Sequence, residues 1–104
     1  MTGLDAVIHP AHRLQLCAML AAGGSVELAL VREHLGLSPS ALSKQVSALV
    51  DAGYVLQERG ALDSRRHWLS LTPAGRAAFA AHVAALREIV AAADRPLAPE
   101  ARRA

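Results

Sequence analysis

Gly36-Leu37-Ser38-Pro39-Ser40-Ala41-Leu42-Ser43-Lys44-Gln45-Val46-Ser47-Ala48-Leu49-Val50 is the stretch on which the reading of this chain turns. Gly36 stops the segment before it, because glycine readily takes the left-handed conformation that closes a helix. Ser38 is a good N-cap, and Pro39 suits the first turn of a following helix, where its missing N–H costs nothing. From there Leu42, Val46, Leu49 and Val50 recur at helical spacing and predict one buried stripe. At about 100° per residue, Ser40, Lys44, Ser47 and Ala48 fall opposite that stripe, with Ser43 and Gln45 at its flanks. Small side chains there permit close approach to a groove, and the polar ones can hydrogen-bond to phosphates or base edges.

Working outward, Leu28 to Leu35 fits a helix with Leu28, Val31 and Leu35 on one side. Two helices joined across so short a turn form a helix-turn-helix unit. Further upstream, Leu14, Cys17, Ala18 and Ala21, with Leu16, Met19 and Leu20 widening the stripe, predict a first helix that begins near Pro10 and ends at Gly23-Gly24. Leu4 to Ile8 fits a single helical turn, and Ser25-Val26-Glu27 is either a short link or one strand pairing. Downstream, Gly53 ends the third helix, and Tyr54–Arg59 and His67–Leu71 have strand character. The turn formers between them make an antiparallel hairpin whose tip carries Arg65 and Arg66. Thr72 and Pro73 open a last helix that runs to about Ala93. Asp94 to Ala104 is expected to be a flexible tail, leaving residues 1–93 as the domain.

Composition bounds the answer. A chain of 104 residues holds one domain with one core. With 53% hydrophobic and 19% charged residues it should fold rather than stay disordered. Tyr54, Trp68 and Phe79 are its only aromatic residues, so the core rests on leucine and valine. That is thin for a monomer and leaves room for burial between subunits. The lone Cys17 staples nothing internally and argues for a reducing compartment. His9, Pro10, His12 and Arg13 interrupt any leader-like apolar run, and Ala77–Leu86 is too short to span a bilayer. The expectation is a cytoplasmic protein with no membrane partner. Net charge is only +2, which suits a polyanion without requiring one; arginine supplies ten of the eleven basic residues, and Lys44 is the single lysine.

Catalysis is not expected. The chain has no glycine-rich phosphate loop, nucleophile elbow or paired acids in a fitting context, and no cofactor is implied. His9, His12, His34, His67 and His82 are scattered without carboxylates or thiolates at ligand spacing, so no metal site is expected. Cys17 falls on an apolar stripe and is expected to be buried and inert. Trp68 should pack on the hairpin sheet, and Arg13 should cap or brace the first helix. Arg59 and Arg76 are weaker candidates for ligand contact, since either could pair with Glu58 or Asp63.

Four stretches carry a family likeness: His9-Pro-Ala-His-Arg-Leu14, Leu37-Ser-Pro-Ser-Ala-Leu-Ser-Lys44, Leu49-Val-Asp-Ala-Gly-Tyr-Val55 and Leu71-Thr-Pro-Ala-Gly-Arg76. In this order and spacing, Ile8 to Arg76 resembles the winged helix-turn-helix regulators of the MarR and ArsR type. The small single-domain winged helix DNA-binding group is the nearest likeness. The resemblance implies a mainly α (α+β) fold: a three-helix core, a two-stranded β-hairpin wing and a C-terminal dimerisation helix. It places Ser38, Ser40, Ser43, Lys44 and Ser47 at the major groove, with Gln45 beside them. Asp63-Ser64-Arg65 matches the Asp-x-Arg of MarR-type wings, in which the arginine reaches the minor groove and the acid orients it. Arg66 joins this set as a phosphate or groove contact. One departure is Lys44, where arginine is common; lysine is a point charge and cannot read guanine bidentately, so selectivity should lean on the wing and on DNA shape.

Assembly is the last expectation. Phe79, Val83, Leu86, Val90 and Ala93 alternate four- and three-residue steps, a seam of coiled-coil type. The seam can pack on the first helix of its own subunit, on a second copy, or on both. A two-fold dimer would set two recognition helices about one DNA turn (~34 Å) apart, matching a palindromic operator. The function so implied is a sequence-specific duplex-DNA-binding transcriptional regulator, a repressor in the simplest case, acting as a homodimer. The alternative is a winged-helix protein–protein interaction module without DNA binding. The resemblance also implies a small-molecule effector or redox signal, expected at the junction of the first, third and last helices.

Overall fold

Glycines and caps set the element boundaries in the computed structural model, which describes residues 3–97. Asp5 Oδ1 accepts the N–H groups of Val7 and Ile8, and His9 N–H returns to the Asp5 carbonyl, closing one helical turn ahead of the first helix. Helix α1 spans Ala11–Gly23, with Pro10 at its N-cap and Gly24 ending it at φ 75°. Strand β1 is Ser25–Glu27, and helix α2 is Leu28–Leu35. Gly36, left-handed at φ 66°, donates its N–H to the carbonyls of Arg32 and Glu33. Helix α3 spans Pro39–Asp51 behind Ser38, whose Oγ accepts the Ala41 N–H at 3.1 Å. Strands β2 (Val55–Arg59) and β3 (His67–Leu71) follow, and Thr72 caps helix α4, Pro73–Ala91. A 3-10 turn, Ala92–Asp94, extends it.

The open alternative at Ser25-Val26-Glu27 resolves as a strand. The sheet is antiparallel with order β1-β3-β2. Val26 lies opposite Leu69 and Glu27 opposite Trp68, while Val55 lies opposite Leu71 and Arg59 opposite His67. The hairpin therefore grows from a third strand that ties it to the start of α2.

Ile8, Leu16, Cys17, Leu20, Val31, Leu42, Val46, Leu49, Val55, Leu69 and Leu71 form the core. Leu16, Leu20, Leu49 and Leu69 are fully buried, and each contributes roughly 2–3 kcal/mol by leaving water. Two stripe expectations need correction. On α1 the expected Leu16, Cys17 and Leu20 are buried and Leu14, Met19 and Ala21 half-buried, but Ala18 is exposed. This helix packs against the sheet as well as α2, α3 and α4, so its covered arc is centred away from the Leu14–Ala18 line. On α3, Val50 is 39% exposed, because the covered arc is centred on Leu42, Val46 and Leu49.

Along α4 burial fades towards the C-terminus. Phe79 packs on the core, Val83 and Leu86 are half-buried, and Ile89 and Val90 are 40% and 69% exposed. The first half of the seam thus packs within its own chain, and among the described residues nothing covers the second half. Of the expected tail, Asp94 closes the 3-10 turn and residues 98–104 lie outside the described residues. Among the described residues, no helix is long and apolar enough to cross a membrane.

Candidate nucleic-acid interface

The outward side of α3 is built by phase. With Leu42, Val46 and Leu49 turned inward, Ser40, Ser43, Lys44 and Ser47 stand exposed on the other side. Ser38, also exposed, spends its Oγ on the cap and lies 3.4 Å from Ser40 Oγ. Gln45 differs from its neighbours. It is half-buried at the flank facing α1, where its Oε1 accepts a hydrogen bond from Arg13 Nη1 at 3.0 Å. Arg13 Nε donates to the Val7 carbonyl, so this arginine braces α1 against both the N-terminal turn and α3.

The wing presents Arg65 almost free in solvent, its side chain 90% exposed. Asp63 holds it from behind: Oδ1 accepts both the Arg65 N–H at 3.0 Å and Nε at 3.2 Å. Those bonds hold the Asp63 carboxyl below its ordinary value. Arg66 turns the other way and pairs through Nε with Glu27 Oε2 at 3.5 Å. Asp63 is therefore engaged by Arg65.

Between α3 and the wing runs a groove of about 290 Å³ that collects Arg32, Ser43, Ser47, Arg65 and Arg66 along its walls. Residues from α2, α3 and the hairpin tip converge there although as many as 34 positions separate Arg32 from Arg66. Three guanidinium groups face one carboxylate, Glu27, so the groove is net positive. Lys44 and Ser40 lie outside its lining and extend the polar surface along α3. Sequence reasoning missed Arg32, Glu27, Gln57 and His67, which also line the groove. Arg32 follows Val31 on the α2 wheel, but nothing local says that this side of α2 faces the hairpin.

The junction of α1, α3 and α4, the expected place for an effector, is filled by the chain's own N-terminal turn. Ile8, Cys17 and His82 are fully buried there, and Tyr54 donates to Asp5 Oδ2. Burial, reinforced by the nearby Asp5 carboxylate, pushes the Cys17 thiol up to about 11, so the thiolate that redox chemistry needs is disfavoured. Cys17 is the buried residue its stripe implied. The two recesses described lie elsewhere: the α3–wing groove, and a hollow between α1 and α2 bordered by His12, Gln15, Met19 and His34.

Comparison with known proteins follows the same lines. No curated protein matches the sequence. Among solved structures, a transcriptional regulator homologue from Pyrococcus horikoshii superposes with a TM-score of 0.82 at 18% identity, covering 88% of this chain and 91% of that one. The YusO protein of Bacillus subtilis gives 0.76 at 24% identity, over 96% of this chain and 67% of that one. NadR, solved in complex with 4-hydroxyphenylacetate, gives 0.73 at 20% identity, over 88% of this chain and 65% of that one. At these identities the likeness is one of fold alone. A family model described as the winged helix DNA-binding domain matches residues 12–90, the stretch from α1 to the end of α4. Its span and this architecture agree: the chain belongs to the winged helix DNA-binding domain family.

Proposed function

We propose that this chain is a sequence-specific regulator of transcription that binds duplex DNA as a homodimer. The observation that carries the reading is the convergence of α3 serines with wing and α2 arginines on one net-positive groove. In this reading α3 enters the major groove with Ser40, Ser43, Lys44 and Ser47 towards the bases and Ser38 near the backbone. Gln45 acts from behind, holding α3 against Arg13. Arg65, aimed by Asp63, reaches the flanking minor groove, and Arg66 and Arg32 meet phosphates.

The uncovered half of α4 supplies the second part. Val83 and Leu86 are half-buried, and Val90 with Ile89 offers an apolar strip to the same strip of another copy. Phe79 anchors the helix to its own core and sets the angle of that strip. A two-fold pair would engage a palindromic operator, and occupancy would exclude polymerase, giving repression by binding without catalysis. Such a protein works in the cytoplasm. A small-molecule effector remains part of the proposal; NadR, a neighbour in fold, is solved with 4-hydroxyphenylacetate.

Fluorescence polarisation with labelled genomic fragments at two salt concentrations tests it. Retention of particular fragments with affinity that falls steeply as salt rises is expected, since each neutralised phosphate releases counterions. Absence of binding even at low salt overturns the reading in favour of a protein partner on the same face.

A further inference from the structure

His82 is the only buried polar side chain in the core among the described residues, and nothing in DNA binding uses it. It sits on α4 beneath the N-terminal turn. The Asp5 backbone N–H donates to His82 Nδ1 at 2.9 Å, so that nitrogen must keep its lone pair. The ring proton then belongs on Nε2, which faces His9 Nδ1 at 3.4 Å across a T-shaped ring contact. This arrangement tolerates no extra proton. On His82 it would set an Nδ1–H against the Asp5 N–H, donor to donor. On His9 it would set an Nδ1–H against the His82 Nε2–H.

The same residues fasten the N-terminal strap to the rest of the fold. Gly3 lies so near α4 that a β-carbon there would be 3.0 Å from Ala85 Cβ. Asp5 Oδ1 organises the strap through Val7 and Ile8, and Oδ2 takes the Tyr54 hydroxyl. Tyr54 in turn joins α3 to the sheet and α4: its N–H donates to the Leu49 carbonyl, and its own carbonyl accepts the Thr72 N–H.

We propose that Asp5, His9 and His82 form a proton-operated latch: when the imidazole pair takes up a proton, residues 3–9 let go of α4. The surrounding charges set its working direction. From the strap, Asp5 favours an imidazolium and His9 opposes it. From α1, Arg13 is occupied by the Val7 carbonyl and Gln45, and the Cys17 thiol is uncharged. Tyr54, at the junction of α3 and β2, is uncharged because its hydrogen bond to Asp5, helped by burial, raises its hydroxyl. One turn away on α4 itself, Ala78, Phe79, Ala85 and Leu86 carry no charge. Burial is the largest influence on His82 and, with His9, outweighs the pull of Asp5, so its proton affinity lies below the ordinary histidine value of 6.5. The latch is closed at neutral pH and opens on acidification.

Amide exchange and ring-nitrogen NMR on the full chain test this without DNA. At about pH 8 the His82 Nδ1 should carry no proton and the Asp5 amide should be protected. Lowering the pH to about 5 should reduce the Asp5 protection factor by about tenfold or more, while the Leu49 and Leu69 amides keep theirs. His82→Asn places a carbonyl oxygen where Nδ1 was and accepts the Asp5 N–H at any pH, so its protection should stay flat. His9→Ala, at an exposed position, removes both the Nε2–H acceptor and the opposing cation, so the release should shift to higher pH. Unchanged Asp5 protection in the wild type overturns the proposal, as does the wild-type loss persisting in His82→Asn. An unmoved midpoint in His9→Ala has the same force, and that variant decides if His82→Asn does not fold.

Discussion

Gly75 lies directly against the main chain of Tyr54: a β-carbon on Gly75 would fall on the Tyr54 carbonyl, with the carbonyl carbon 2.8 Å away. This close approach fixes where α4 leaves the sheet. The Gly75 N–H is capped by Thr72 Oγ1, and Thr72 itself binds both sides of the corner, donating its N–H to Tyr54 and its hydroxyl to the Gly53 carbonyl. Gly75→Ala is therefore expected to destabilise the fold by about 2 kcal/mol or more, since backbone rather than a flexible side chain must move. Urea denaturation checks it, and a midpoint equal to wild type would contradict the close approach.

Arg13 and Gln45 should behave as a coupled pair. Each alanine substitution should lower stability by about 1 kcal/mol, and the double variant should lose less than the sum by about 0.5 kcal/mol or more. A denaturant double-mutant cycle measures the coupling. Full stability in Gln45→Ala together with weakened DNA binding would instead place Gln45 at the ligand.

Lys44→Ala combined with Arg65→Ala tests the DNA face. Both side chains are exposed, so the fold should be unaffected. Affinity should fall by about 10-fold or more, with a shallower salt slope because two cations leave the interface. Wild-type affinity in a folded double variant would sink the site assignment.

Val90 is 69% exposed, so Val90→Asp should leave the isolated subunit's fold intact. Placed in a two-fold seam, it sets carboxylates near each other across the interface. Light scattering should show monomers in place of dimers, and DNA affinity should drop by about 10-fold or more because a lone subunit holds only one half-site. A dimer that survives this change would put the interface elsewhere.

Stability should also respond to acid with a definite sign. The unfolded His82 takes a proton near its ordinary value of 6.5, whereas the folded one resists until lower pH. Below about 6.5 the unfolded state thus binds more protons, and stability should fall as pH drops through that window. Asp5 acts in a different range. Burial alone would raise its carboxyl, but bonds from Tyr54, Ile8 and Val7, with His82 nearby, lower it below the ordinary 3.8. Its contribution persists above 3.8 and is lost only as pH falls through the lowered value. Urea midpoints measured against pH should show the first loss in the wild type and a smaller one in His82→Asn.

Much of the fold was legible because its signals are local. Ser38 with Pro39, Thr72 with Pro73, and Gly24 and Gly36 at positive φ each act within one turn of chain. The face of α3 was legible for the same reason: Leu42, Val46 and Leu49 fix its phase, and the serines and Lys44 follow. Periodicity alone drew Ala18 into the α1 stripe and Val50 into that of α3, because it reports that a stripe exists without saying how many neighbours surround it.

The sequence by itself determined the order of elements, the outward set on α3 and the basic hairpin tip, since caps, turns and helical phase need only adjacent residues. Tertiary structure alone decided the pairing of Ser25 with Ser70, the Glu27–Arg66 ion pair, the turn of Gln45 towards Arg13 and the burial of His82 under Asp5. Each of those joins residues far apart in the chain, and which side chains meet depends on packing angles that no short stretch encodes.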